Sequence, residues 1–142
     1  NRTVIQERVQ DVLTAIAYVR QVVRPRKVIL MGDGEAGLWA LLAARWADAT
    51  VVDVARFDMT DDERLISPEW FIPGFRLTGG FDAAAALVAP KPLWLHNTGS
   101  LFPTEWSQAA YAVLSKSSVL EIDKGTVQEG QLIRWIQSMA KP

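Results

Sequence analysis

The chain has 142 residues, 49% of them apolar, with fifteen basic against sixteen acidic residues, one histidine and no cysteine. That is the length of one domain with enough apolar content for a core, which excludes a disordered chain; without cysteine there is no disulfide framework, thiol nucleophile or thiolate metal site, and with His96 as the one imidazole no metal site is expected. The near-neutral balance gives no general attraction for nucleic acid, and no apolar run approaches the roughly 20 residues that span a bilayer, so neither nucleic acid nor membrane is expected as a partner.

Ile5, Val9, Val12, Ile16, Val19 and Val23 recur at alternating spacings of four and three, which predicts one face of an amphipathic helix over residues 3–23. Pro25 ends it, because the residue before a proline is pushed out of the helical region. Arg20, Arg24, Arg26 and Lys27 cluster at its C-terminal end, either as cations favoured by the helix dipole or as an anion-binding group. Lys27–Met31 then reads as a short buried strand opening into Gly32-Asp33-Gly34-Glu35-Ala36-Gly37, followed by an Ala- and Leu-rich helix over Leu38–Trp46 and a second strand, Thr50–Val54. Residues 55–80 are read as a long irregular excursion. They hold an acidic patch (Asp58, Asp61, Asp62, Glu63), and Phe57, Trp70, Phe71 and Phe75 either pin the segment to the core or belong to a functional loop over a site.

Asp82 is expected to cap a short helix over Ala83–Val88. Pro92 leads into a third strand, Leu93–Asn97; a helix follows over Thr104–Ser115, then a fourth strand over Ser118–Ile122. The last helix is expected to start at Thr126, where Thr126-x-x-Glu129 has the form of a capping box, and to run to about Ala140. This order predicts an α/β fold: a parallel sheet of about four strands flanked by helices, within one domain spanning 1–142.

The glycine turn admits two readings. Gly32-x-Gly34-x-x-Gly37 between a strand and a helix, with Asp53 ending the next strand, is the dinucleotide-binding fingerprint. Its glycines would bring a pyrophosphate to a helix N-terminus, and its acid would hold a ribose. Asp33 and Glu35 oppose it by placing two negative charges in a loop that must cradle a dianion. The second reading is a nucleophile elbow, a strained strand-to-helix turn with the pattern G-x-S-x-G. Laid on that pattern, Gly32 is the first glycine, Gly34 falls at the nucleophile and Ala36 replaces the last glycine.

Flanking segments favour the elbow. Arg8-Val9-Gln10-Asp11-Val12-Leu13 with Ala17-Tyr18-Val19 resembles the helix that precedes the elbow strand in the acetyl xylan esterase-like and dienelactone hydrolase-like members of the α/β-hydrolase superfamily. Phe71-Ile72-Pro73-Gly74-Phe75, Gly79-Gly80-Phe81-Asp82 and Ala86-Leu87-Val88-Ala89-Pro90-Lys91-Pro92-Leu93 resemble the stretch that leads to their acid-bearing strand. The resemblance covers nearly the whole chain and implies a hydrolase fold whose active positions are substituted. The nucleophile position holds Gly34, the acid position falls near Ser100, and the histidine position falls near Thr126. A Ser-His-Asp mechanism needs a nucleophile, a base and an orienter for the base, so ester hydrolysis by that route is not expected of this chain.

Other groups keep two readings each. His96, near the C-terminal end of its strand, is either a hydrogen-bonded strand-end residue or a base. Asp33 and Glu35 are either solvated turn acids favoured by the helix dipole or paired carboxylates for acid–base work. The expected role is structural, binding or interaction, with no cofactor. An esterase whose catalytic residues lie outside this segment, or a dinucleotide module using Gly32, Gly34, Gly37 and Asp53, are the alternatives.

The resemblance also implies that these residues are the C-terminal half of the fold, with further strands before Asn1. Lys27–Met31 would then carry an unpaired edge, expected to be covered by the remainder of a longer polypeptide or by a second copy of the chain.

Overall fold

The structure is a computed structural model that describes residues 2–141. Four parallel strands, β1 (Ile29–Gly32), β2 (Ala49–Asp53), β3 (Leu93–His96) and β4 (Leu120–Ile122), lie in the order β1-β2-β3-β4. Helices connect them: α1 (Val4–Tyr18) before β1, α2 (Glu35–Ala43) between β1 and β2, α3 (Asp62–Ile66) and α4 (Gly80–Ala86) between β2 and β3, α5 (Glu105–Val113) between β3 and β4, and α6 (Glu129–Ala140) after β4. The expected α/β architecture is therefore present. Four parallel strands in sequential order need crossovers that all advance the same way, and a uniform hand puts the connecting helices on one face.

That face holds the main core. Leu30, Val52, Leu93 and Leu95 from the strands and Val54 just after β2 meet Ile5, Leu38, Leu41, Phe81, Ala85 and Tyr111 from the helices. The sequence of α2, Glu-Ala-Gly-Leu-Trp-Ala-Leu-Leu-Ala, is apolar nearly all round, and a helix of that kind is stable only when covered on several sides. Gly37, Leu38, Ala40, Leu41 and Ala43 are buried accordingly, with α1 and α4 packed alongside. The opposite face is covered by α6 alone, through a smaller cluster of Ile29, Ala49, Val51, Trp94, Leu132, Trp135, Ile136 and Met139. Each tryptophan of that cluster keeps a polar tie: Trp94 Nε1 donates to Asp123 at 2.7 Å and Trp135 Nε1 to Glu121 at 2.7 Å. No described helix is long and apolar enough to cross a membrane.

Several local expectations are corrected. The α1 periodicity continues to Val23, but Val19–Val23 winds as a π-turn that ends at left-handed Arg24, and Val23 is 63% exposed. Arg20 reaches the Asp48 carboxylate at 3.0 Å, Arg24 Nε donates to Gln21 O at 3.1 Å, and Lys27 donates to the carbonyls of Met139 and Lys141 at the end of α6, so three of the four clustered cations have structural partners. Residues 55–80 are not wholly irregular: Asp61 caps α3 by accepting from Arg64 N at 3.0 Å, and Arg76–Thr78 forms a 3-10 turn. Phe57 and Trp70 are buried and Phe75 half-buried, whereas Phe71 is exposed.

Asp82 does not cap its own helix. It lies inside α4, 3% exposed, and accepts from Trp106 N at 2.8 Å and Ser107 N at 2.9 Å, capping the first turn of α5 from a neighbouring helix. Thr126 does not start the last helix either. Gln128 is the N-cap, with a reciprocal box to Gln131. Asp123, Lys124 and Gly125 use their carbonyls to accept from Thr98, Gly99 and Asn97, which holds the chain extended past β4 and delays the helix.

Candidate functional site

In an open parallel sheet, ligand sites form outside the C-terminal ends of the strands. Here that edge gathers most of the residues singled out from the sequence: Gly32 at the end of β1 with Asp33 and Gly34 following, Asp53 at the end of β2, and His96 at the end of β3, with Asp53 and His96 paired in register. The β3 and β4 exits are bound together, Asn97 N donating to Gly125 O at 2.7 Å and Gly99 N to Lys124 O at 3.0 Å. Exposed Ser100 and Thr126 follow directly on those two stitched loops.

The glycines of the turn have separate structural reasons. A Cβ on Gly32 would stand 2.6 Å from the Gly37 Cα and 2.8 Å from the Ala40 Cβ, and one on Gly37 would overlap the backbone carbonyl of Asp53. Close passage of helix α2 over β1 and β2 therefore requires both. Gly34 is different: nothing lies within 4 Å of where its Cβ would be, yet its backbone is at φ 52° and ψ −135°. That is strained territory for any side chain, on a turn that faces open space. Gly37 N donates back to Gly34 O at 3.0 Å and closes the turn.

Glu35, at the start of α2, is ion-paired with Arg64 at 3.1 Å. The Arg64 guanidinium also lies 4.3 Å above the Phe57 ring centre and 5.6 Å from that of Trp70. Arg64 was not singled out from the sequence, although it is a single cation set between an acidic patch and aromatics. It ties the excursion to the glycine turn by charge and by its planar face. Asp33 remains exposed; Asp33 and Glu35 are not held as a hydrogen-bonded carboxylate pair.

Asp53 is buried, and its Oδ1 accepts from Ala55 N at 2.6 Å and Asn97 Nδ2 at 2.8 Å. Asn97 Oδ1 in turn accepts from Arg56 Nε at 3.0 Å. Ala55, Arg56 and Asn97 all have φ between 50° and 57°, a left-handed conformation that non-glycine residues adopt only where surroundings enforce it. Asp53, Asn97 and Arg56 thus form a closed network that locks the exits of β2 and β3. No signal in the sequence marks Ala55 and Arg56 as left-handed.

His96 is 5% exposed, its ring edge faces Trp94 at 6.3 Å between centres, and its Nδ1 has no hydrogen-bond partner. The expected hydrogen-bonded strand-end histidine is therefore not realised, since neither ring nitrogen has a hydrogen bond to a described residue. Burial pushes its pKa below the ordinary 6.5, against the raising influence of the Asp53, Asp33 and Asp123 carboxylates. The unfolded chain then takes up a proton at higher pH than the folded chain, so stability is lost as pH falls below about 6.5. Urea midpoints measured from about pH 7 to about pH 5 should fall more steeply for the native chain than for His96→Gln. Equal slopes, or an imidazole titrating above 6.5 by NMR, would contradict this. Among the described residues, no three histidine, aspartate or glutamate side chains are grouped as a metal ion would require.

Compared with protein-family models, with curated proteins and with solved structures, the chain matches none.

Proposed function

We propose that this chain is a catalytically degenerate α/β-hydrolase-like domain, related to the acetyl xylan esterases, with a structural, binding or interaction role. The observation that carries the reading is Gly34, at φ 52° and ψ −135° on the turn between β1 and α2. A nucleophile elbow needs such a strained strand-to-helix turn, small neighbours for close passage and open space at the nucleophile. Gly32, Gly37 and Ala40 supply the small neighbours, and the space beside Gly34 is open. What is missing is the nucleophile: Gly34 has no side chain.

The substituted positions agree with this reading. Ser100 and Thr126 are exposed and have no carboxylate or imidazole to offer. His96 carries its imidazole buried on the α6 face of the sheet beside Trp94. A fluorophosphonate probe, which forms a covalent bond to an activated serine hydroxyl, should therefore label no residue of the folded chain. Labelling of one serine that disappears on denaturation would refute the proposal.

A second reading rests on Gly37. Its close packing on the Asp53 backbone is what the third glycine of a dinucleotide fingerprint provides, and Asp53 stands where the ribose-binding acid belongs. One Asp53 oxygen is already held by Ala55 and Asn97, which leaves one for a ribose hydroxyl. Calorimetric titration with NADH separates the two readings: heat of micromolar binding, lost in Asp53→Ala, would favour the dinucleotide module.

A further inference from the structure

The two edges of the sheet are built differently. β4 is three residues long, carries Glu121 at its centre and runs into Asp123 and Lys124, a short charged edge of the kind that discourages further pairing. β1 is Ile-Leu-Met-Gly, with no charge within it, and Met31 is 54% exposed. Val28, just before β1, turns inward: its carbonyl accepts from Asp48 N at 2.8 Å and its N–H donates to the Asp48 carboxylate at 2.8 Å. Alternation along the strand therefore turns the N–H and C=O groups of Ile29 and Met31 outward, where no strand meets them. Tyr18, Val22 and Val23 remain exposed on the segment that leads into this edge.

Charges of opposite sign bracket the strand: Arg26 and Lys27 before it, Asp33 and Glu35 after it. Arg26 and Asp33 take part in no ion pair among the described residues, and Lys27, held by the carbonyls of Met139 and Lys141, has no carboxylate partner there. This pattern complements itself when the strand meets its own copy running the opposite way, and opposes itself when the copy runs the same way. We infer that β1 pairs antiparallel with β1 of a second copy of this chain across a two-fold axis.

With Leu30 on the axis, Ile29 faces the partner's Met31 and their outward amide groups exchange both hydrogen bonds. The same register sets Lys27 opposite the partner's Asp33 at both ends of the seam, a favourable cross-strand pair made twice. Sliding the register by two residues in either direction puts Ile29 against Asp33 or Met31 against Lys27. Four residues of strand bury too little for a stable interface, and the exposed apolar residues Tyr18, Val22 and Val23 extend it. This inference does not rest on the substituted hydrolase positions, and it assigns the β1 edge to a second copy in place of a preceding strand of a longer polypeptide.

Sedimentation velocity over a dilution series should show a reversible dimer for the native chain. Met31→Lys, at an exposed position that does not disturb the core, should abolish it, and Asp33→Lys should raise the dimer Kd about tenfold or more. Because the chain has no cysteine, Leu30→Cys supplies a single thiol on the axis and should form an interchain disulfide on mild oxidation. Leu120→Cys, on the opposite edge, should not. A native chain that is monomeric at every concentration, or a dimer that Met31→Lys leaves intact, would overturn the inference and assign this edge to a different partner.

Discussion

Gly37→Ala is expected to destabilise the chain by about 4 kcal/mol or more, which is exceptional for the addition of one methyl group. The methyl would overlap the carbonyl oxygen of Asp53, a backbone atom at the end of β2. Side chains can rotate away from an intruder; this oxygen cannot, because Asp53 is fixed by the ladder to β3 and by hydrogen bonds from Ala55 and Asn97. Relief would require α2 to lift off the sheet, exposing Leu38 and Leu41 from the core. Since a domain of this size holds only about 5–15 kcal/mol in total, the variant should be largely unfolded or aggregated by circular dichroism at temperatures where the native chain is folded. Gly130→Ala provides the contrast. Its methyl would meet only the Arg134 side chain at 3.6 Å on the exposed first turn of α6, and should stabilise by about 0.5–1 kcal/mol. If the two alanine variants melt at similar temperatures, the packing of α2 on β2 described above is wrong.

Asp82→Ala is the second large effect. The carboxylate is almost fully buried between α4 and α5, and both oxygens are used, one on Trp106 N and one on Ser107 N. Its negative charge also stands at the positive end of the α5 dipole. Removing it leaves two buried N–H groups without partners, and the expected loss is about 2–4 kcal/mol. Asp82→Asn retains an acceptor for one of the two amides and should cost about half as much. Urea unfolding of the three proteins checks the order native, Asn, Ala. An Ala variant within about 0.5 kcal/mol of native would mean that water replaces the carboxylate and that α5 is not capped from α4.

The four strands and their parallel sense were the most legible feature of the sequence. Short apolar runs at Ile29, Val51, Leu93 and Leu120 alternate with helical stretches, and parallel crossovers leave few ways to arrange them. The register that sets Asp53 beside His96 was not legible, because strand order leaves it open. Caps were not legible. Asp82 caps a helix that begins more than twenty residues later, and sequence spacing is blind to that. Thr126-x-x-Glu129 has the right residues for a box, but carbonyls just before it are committed to the β3 exit loop. Tertiary hydrogen bonds outweighed a local motif there.

At the candidate site, the glycine turn and its special backbone were readable, because Gly32, Gly34 and Gly37 announce close approach and positive φ. The network at the β2 and β3 exits was not. Ala55, Arg56 and Asn97 adopt left-handed backbone because Asp53 and its neighbours fix them, and only Asn97 is of a type that favours that conformation. Arg64 was hidden for a related reason: its two functions, the Glu35 ion pair and the stacking on Phe57 and Trp70, join residues far apart in the chain.

Hydrolysis of p-nitrophenyl acetate tests the proposal that this sheet edge keeps the shape of a hydrolase site without its chemistry. The native chain should release p-nitrophenol at the rate of buffer alone, and Asp33→Asn, Glu35→Gln and His96→Gln should leave that rate unchanged. Saturable turnover by the native chain, abolished by any one of these substitutions, would contradict it.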